Sequence, residues 1–177
     1  RKMVTSLNGF EYINIGGREF EAFTTSGGLG TMCETYEGKV DTLNYKSIRY
    51  PGHGKLMKFM ISELIMKDDK ETLTKILENA KPPVKEDVVY IYAVVEGWQG
   101  EKLFRNEYYK AFYPQTIQGQ EWRAISWTTA ASIAAVIEMV DKGDLPSKGF
   151  IKQEEIPYDK LIETENGKYY IYGDTGV

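Results

Sequence analysis

The chain has only one cysteine and one histidine among 177 residues. The single cysteine, Cys33, excludes an intrachain disulfide and fits a reducing compartment, so we expect a cytoplasmic protein. His53 and Cys33 lie far apart in sequence and lack the paired ligands that zinc requires, so we expect no metal site. One histidine of unknown position also gives no secure Ser-His-Asp or Cys-His nucleophile.

Basic runs and long apolar segments are missing as well. The net charge is -4, with 22 Lys and Arg against 26 Asp and Glu, which argues against a nucleic-acid partner. No apolar segment approaches the roughly 20 residues needed to cross a bilayer, so we expect no membrane partner. The chain opens at Arg1 in a polar stretch. We therefore expect it to be a domain cut from a longer protein, with a processed mature protein as the alternative.

The residues that are present alternate in ways that predict both strands and helices. Strands are predicted at residues 10–15, 18–23, 40–50, 87–96 and 102–113, with hairpin turns at Gly16-Gly17 and at 97–100. Helices are predicted near residues 29–36, 53–66, 73–80, 126–142 and 158–162. This order indicates an α+β fold, with a mixed, largely antiparallel sheet and helices packed on one face.

Two of these segments carry a further expectation. Residues 87–96 are apolar on both faces, which predicts a central strand that is covered on both sides. The helix at 126–142, with Ser126 as N-cap and Gly143 beyond its end, is apolar nearly all round. We therefore expect it to be buried on several sides, one of which would dock on a missing domain or a second subunit.

The glycine turn at residues 26–28 is a poor dinucleotide fingerprint. Cys33 stands where the third glycine normally permits close packing, and the preceding strand alternates Glu with Phe instead of being continuously apolar. Ser26 and the backbone N–H groups of Gly27 and Gly28 could hold an anion at a helix start. A plain tight turn is the equal alternative.

The segment from Asn44 to Lys55 is the most informative one. It places the Arg49 guanidinium, the Tyr50 phenol, the Gly52 backbone and His53 around one helix N-terminus, which is suitable chemistry for holding a carboxylate. The alternatives are a surface arginine paired with an acidic side chain and a histidine that only caps the helix.

Three segments resemble the C-terminal portion of bacterial saccharopine dehydrogenase-like proteins, in their order and spacing as well as in their amino-acid sequence. They are residues 24–31 (TTSGGLGT), 40–53 (VDTLNYKSIRYPGH) and 127–131 (WTTAA). The resemblance implies a two-part enzyme whose N-terminal Rossmann domain, absent here, binds NAD or NADP. Residues 1–177 would form one substrate-binding and homodimerisation domain, and the part after about residue 126 would dock on the missing domain.

The family's reaction is hydride transfer between a nicotinamide and the carbon–nitrogen bond of an amino acid such as saccharopine or lysine. By similarity, Arg49 would hold the substrate carboxylate, and Lys46 and Tyr50 would add charge and a hydroxyl. The cleft would be lined by Ser26 and Gly27, with Gly27 and Gly28 facing the cofactor. The catalytic acid is not assigned by the resemblance, and His53 at the cleft rim is a candidate.

This chain alone would be inactive and would bind no cofactor. The alternative is a non-enzymatic α+β module that binds a small ligand or a partner through its exposed apolar helix, with the turn at residues 49–52 only structural.

Overall fold

A computed structural model describes residues 3–173, and the chain divides into two compact units, residues 1–83 and 84–177. The predicted α+β class is confirmed, since both units combine helices with antiparallel strands. Within the described residues the strands form three small sheets instead of one larger sheet. The single domain over residues 1–177 stays a prediction.

The first unit contains a three-stranded antiparallel sheet with its second strand in the centre. Its strands are β1 (Glu11–Ile15), β2 (Arg18–Phe23) and β3 (Ser47–Arg49). The first two agree with the prediction, but the third is much shorter than residues 40–50. β3 pairs with β2 only from Glu21 to Phe23, where β2 ends, so the residues before Ser47 have no strand to pair with.

The helices of this unit are α1 (Met32–Thr35), α2 (His53–Lys58) and α3 (Lys70–Ala80). The predicted helix at 53–66 is α-helical only in its first part. It continues as a π-helix over Phe59–Glu63 and ends where Ile65 adopts a left-handed φ of 56°. A 3-10 turn at Met66–Asp68 then leads to α3, which begins earlier than predicted because Asp69 accepts a hydrogen bond from the Thr72 N–H at 3.0 Å.

The core of the first unit lies where α2 packs on the sheet. β2 is buried on both faces from Phe20 to Phe23. Gly54 of α2 is also buried, and a Cβ at this position would lie 2.5 and 2.6 Å from ring atoms of Phe23 and Phe10. Those two rings pack with their centroids 5.1 Å apart. The helix approaches the sheet this closely because residue 54 has no side chain.

The substitution Gly54→Ala is expected to destabilise the first unit. Overpacking costs about 1–3 kcal/mol, and Cβ contacts of 2.5 and 2.6 Å place this site in the upper half of that range. Helix propensity returns about 1 kcal/mol, so we expect a net loss of about 1–2 kcal/mol. The measurement is urea unfolding followed by far-UV circular dichroism, since all three tryptophans of the chain lie beyond residue 83.

Gly28→Ala is the matched control for this experiment. A Cβ at Gly28 would meet no atom within 4 Å, so its effect should stay within about 0.5 kcal/mol. An unchanged or increased stability of Gly54→Ala would contradict the packing described above.

The second unit begins with a long hairpin of β4 (Val89–Gln99) and β5 (Lys102–Phe112). The predicted turn at 97–100 is wrong, because Gln99 pairs with Lys102 and the turn is Gly100-Glu101. The prediction that this strand is central and covered on both faces is also wrong for the described residues. There, β4 pairs with β5 alone, and Val95 and Trp98 are 67% and 74% exposed. Apolar residues on both faces of a strand do not reveal whether its own chain covers them.

A small hairpin of β6 (Gln115–Ile117) and β7 (Gln120–Trp122) follows, which the sequence analysis did not predict. Its turn residues Gln118 and Gly119 have φ values of 53° and 78°, the left-handed pair typical of a tight hairpin turn.

The main helix of this unit is α4 (Ala124–Lys142), which ends as predicted at Gly143 with a φ of 82°. The N-cap prediction for Ser126 is wrong. The helix begins earlier because the Asp87 carboxylate accepts the N–H groups of Ala124 and Ile125 at 2.6 and 2.9 Å. The short helix α5 (Tyr158–Ile162) is confirmed, and it lies between 3-10 segments at Gln153–Glu155 and Gly167–Tyr172.

One face of α4 is buried and the opposite face is not. Trp127 packs edge-on against Phe112 at 5.5 Å and donates from its Nε1 to the Tyr113 carbonyl at 2.8 Å. Ile133 and Ile137 are 61% and 62% exposed, so burial on several sides is not found within the described part of the chain. The docking of this face on another domain or subunit stays a prediction.

α4 is also long and apolar enough to cross a membrane by length and composition, which corrects the expectation that no segment approaches that length. The core helix of a soluble protein passes the same test, so a single helix of this kind is a weak indication. The absence of a membrane partner stays a prediction.

Candidate functional site

The backbone of the corner at residues 49–53 (Arg-Tyr-Pro-Gly-His) and of the adjacent Gly54 binds the carboxylate of Glu21. This side chain is 1% exposed at the centre of β2 and accepts hydrogen bonds from the N–H groups of Gly52, at 2.9 Å, and Gly54. Gly52 is the N-cap of α2, has a φ of 92°, and supplies no side-chain cap of its own. The carboxylate therefore provides acceptors that the start of the helix needs, and it also interacts favourably with the positive end of the helix dipole.

These N–H groups are therefore engaged within the chain. A ligand carboxylate at this corner would have to be bound by side chains, principally those of Arg49 and His53.

Arg49 lies opposite Glu21 in the β2–β3 pairing and is exposed. Its guanidinium donates through Nη1 to the Ile48 carbonyl at 2.8 Å. Among residues 3–173 it forms no ion pair with a carboxylate. Because a guanidinium has five N–H donors, most of those on Arg49 remain open to an external acceptor.

His53 is the neighbour that shares this face of the sheet. Its ring stacks on Phe23, with centroids 6.5 Å apart and an interplanar angle of 13°. Although the residue is exposed overall, partial burial of the ring lowers the pKa of His53, and the positive charge of Arg49 lowers it further. The negative charge of Glu21 acts in the opposite direction. The imidazole is thus held in its neutral form at neutral pH.

Tyr50 does not join Arg49 and His53. Its ring stacks on Phe20 at 5.8 Å, and Phe20 points to the opposite face of β2 from Glu21 because side chains alternate along a strand. Its phenol therefore lies on the other side of the sheet.

Lys46 is already paired within the chain. Its Nζ lies 3.0 Å from the Glu11 carboxylate, and its side chain is 17% exposed. The charge of Lys46 is thus compensated by the Glu11 carboxylate of β1.

The glycine turn at residues 26–28 lies near Ser47, at the opposite end of β3 from Arg49. Phe23, the last residue of β2, pairs with Ser47, and Thr25 hydrogen-bonds Ser47 through the two hydroxyl oxygens at 2.6 Å. A Cβ on Gly27, whose φ is 103°, would lie 3.7 Å from the Tyr45 ring. Ser26, Gly27 and Gly28 are all exposed.

The predicted site residues thus fall into separate places within one unit. Arg49 and His53 lie together at the start of α2, Tyr50 lies across the sheet, and the glycine turn follows the far end of β3. The sequence analysis missed Glu21, whose place in an alternating strand suggested a solvent-facing side chain. The one signal for it was a helix that begins at a glycine, which needs an acceptor from elsewhere in the chain.

Within residues 3–173 no group of three His, Cys, Asp or Glu side chains could hold a metal ion. No protein-family model and no solved structure matches the chain. The resemblance to saccharopine dehydrogenase-like proteins therefore rests on the wording and spacing of residues 24–31, 40–53 and 127–131 alone.

Removing the Glu21 carboxylate should destabilise the first unit more than removing an exposed one. Glu21→Ala leaves two N–H groups without their acceptor, one of them buried, and should cost about 2–3 kcal/mol. Glu19→Ala, an exposed position on the same strand, should change stability by about 0.5 kcal/mol or less. Urea unfolding measures both, and equal effects would show that Glu21 does not support the helix start.

The pKa of His53 can be read directly, because it is the only histidine in the chain. An NMR titration of its ring protons should give a value below 6.5, and Arg49→Ala should raise it because one of the two lowering causes is removed. Since the folded pKa is the lower one, the unfolded chain takes up the proton first. Stability should therefore fall as the pH drops below about 6.5.

Arg18→Ala serves as the control for charge removal elsewhere on this sheet. A pKa for His53 that is unchanged by Arg49→Ala would place the guanidinium too far away to act on the ring.

Proposed function

We propose that this chain is the substrate-binding and dimerisation part of an NAD(P)-dependent oxidoreductase that acts on the carbon–nitrogen bond of an amino acid, saccharopine or lysine in type. The observation that carries this proposal is the exposed guanidinium of Arg49, with most of its donors open, beside the neutral ring of His53. The cofactor would be bound mainly by a domain outside these residues. The sequence resemblance of residues 40–53 to saccharopine dehydrogenase-like proteins supports the same reaction class.

Arg49 would bind the substrate's α-carboxylate through two parallel hydrogen bonds, the geometry that a guanidinium and a carboxylate share. Glu21 has a positioning role in this scheme. By holding the Gly52 and Gly54 amides it sets the start of α2, and so the place of His53 relative to Arg49. Such a rigid corner suits a reaction in which the reacting carbon must lie within about 3–3.5 Å of the hydride acceptor.

His53 would accept a proton from the substrate nitrogen. A neutral imidazole is the form that can do so, and its lowered pKa keeps that form present at neutral pH. The nicotinamide, when bound, supplies the hydride acceptor. In this scheme Lys46 would contribute only if its pairing with Glu11 opened.

A second function, a non-enzymatic module that binds a partner, is favoured by a different observation. Large apolar side chains are exposed on the β4–β5 hairpin and on α4, among them Val95, Trp98, Leu103, Ile133 and Ile137. Apolar surfaces of this kind commonly mark contacts with another protein.

The decisive variant for the first proposal is Arg49→Ala in the complete protein that carries this chain. Loss of a charged hydrogen-bonded clamp is worth about 1.5–3 kcal/mol, so kcat/KM for the amino acid should fall by about 10- to 150-fold. Arg18→Ala, an exposed arginine of the same sheet, should leave kcat/KM within about twofold. Steady-state kinetics in the deamination direction measures both.

Calorimetric titration with NADH and NADPH separates the two functions. Binding by the complete protein and not by residues 1–177 supports the oxidoreductase. No nicotinamide binding by either would overturn it and leave the partner-binding module.

A further inference from the structure

We propose that the hydroxyl of Ser47 is a second recognition point beside Arg49, where its oxygen accepts a hydrogen bond from the amino nitrogen of the substrate. Ser47 would thereby select an amino acid over a carboxylic acid that has no amino group. This inference deepens the oxidoreductase proposal and rests on its amino-acid substrate, but its binding test requires neither a nicotinamide nor turnover.

The first observation is which side chains share one face of β3. Side chains alternate along a strand, so Ser47 and Arg49 lie on the same face, about 6–7 Å apart along the strand. Their partners on β2 are Phe23 and Glu21, and the ring of His53 stacks on Phe23. This face of the sheet therefore presents a guanidinium, an imidazole and a hydroxyl in one neighbourhood.

The two polar neighbours that were predicted to assist Arg49 are engaged elsewhere. Lys46 pairs with the Glu11 carboxylate, and the phenol of Tyr50 lies on the opposite face of the sheet. Ser47 is thus the polar side chain of β3 that accompanies Arg49.

The second observation is a count of hydroxyl protons. The Thr25 hydroxyl oxygen lies 3.2 Å from the Ser26 carbonyl oxygen and 2.6 Å from the Ser47 hydroxyl oxygen. A hydroxyl has one proton to donate, and a carbonyl oxygen can only accept. Both contacts are therefore hydrogen bonds only when Thr25 donates to Ser26 and Ser47 donates to Thr25. The Ser47 oxygen then has no proton left and acts as an acceptor.

An acceptor at this place complements an amino group and not a second carboxylate. The guanidinium of Arg49 only donates, so it binds the carboxylate, and the ammonium group one carbon away needs acceptors. The Ser47 oxygen and the neutral ring of His53 provide them. Within residues 3–173 the Thr25 hydroxyl is the side-chain partner of Ser47, which leaves the lone pairs of Ser47 open to a ligand.

The same hydrogen bond suits the proposed reaction. An amine that has given one proton to His53 keeps another N–H, which Ser47 would hold. When a hydride leaves the neighbouring carbon for the oxidised nicotinamide with both electrons of its C–H bond, the nitrogen lone pair forms the C=N bond. The nitrogen then becomes positively charged, so its hydrogen bond to Ser47 strengthens as the reaction proceeds.

The binding test compares L-norleucine with hexanoate, which has the same carbon chain and carboxylate but no amino group. Each is titrated into this chain, and the NMR signals of the ring protons of His53, the only histidine, report the occupancy. Norleucine should bind more tightly than hexanoate. Because one hydrogen bond is lost, Ser47→Ala should raise the dissociation constant of norleucine about 5- to 10-fold and change that of hexanoate by about twofold or less.

Three further variants control this experiment. Ser47→Thr keeps the hydroxyl and should keep the preference for norleucine. Ser62→Ala removes an exposed serine from the π-helix that continues α2 and should change neither dissociation constant. Arg49→Ala should weaken both ligands, since both have the carboxylate. Far-UV circular dichroism shows whether each variant keeps its fold.

The outcomes separate this inference from the proposed function. Equal binding of norleucine and hexanoate, or an equal effect of Ser47→Ala on both, overturns the role of Ser47. Binding of neither ligand overturns the roles of Ser47 and Arg49 together. If the complete protein turns over the amino acid and loses activity through Arg49→Ala but not through Ser47→Ala, the oxidoreductase stands and the role of Ser47 is wrong. A norleucine preference that depends on Ser47 supports this inference even if no nicotinamide binds.

Discussion

The first unit depends on a carboxylate that is almost fully buried at the centre of a sheet. A buried carboxylate without partners is very costly, and the two backbone N–H groups at the start of α2 offset that cost. The arrangement works in both directions, since the helix gains a cap and Glu21 gains donors. It also sets the distance of α2 from the sheet, which in turn requires a glycine at position 54. The same contact sets the place of His53 beside Arg49, whose own place is set by the pairing of β3 with β2.

In the second unit, two more carboxylates accept backbone N–H groups from distant parts of the chain. Asp87 accepts the first N–H groups of α4, and Glu138 of α4 accepts the N–H groups of Glu165 and Asn166 at 2.8 and 3.0 Å. Desolvation raises the pKa of Glu138, but the hydrogen bonds from the Asn166 side chain and from the N–H groups of Glu165 and Asn166 outweigh it, so the pKa lies below its usual value. Glu21, Asp87 and Glu138 thus each hold a backbone turn or helix start in place.

The sequence predicts the local elements well, because strand alternation and helical spacing are properties of neighbouring residues. β1, β2, α3 and the β4–β5 hairpin follow from such patterns alone. The sequence does not predict which distant side chain accepts the backbone N–H groups at the start of a helix. The corner at residues 49–53 is predicted to hold the carboxylate of a substrate, and the backbone N–H groups of Gly52 and Gly54 instead hold that of Glu21. This acceptor lies on another strand, and the local pattern does not reveal strand pairing. The same limit explains the wrong cap at Ser126, where the acceptor is Asp87.

The non-local caps also bear on how the chain reaches its structure. Glu21 precedes Gly52 by 31 positions, and Asp87 precedes Ala124 by 37. Neither helix start is satisfied until the intervening segment has closed, so the entropy of loop closure is spent before either cap forms. The six-residue α2 is also too short to persist alone in water. Helix and sheet should therefore appear together in the folding of the first unit, with the carboxylate contact forming late as the step that makes assembly cooperative.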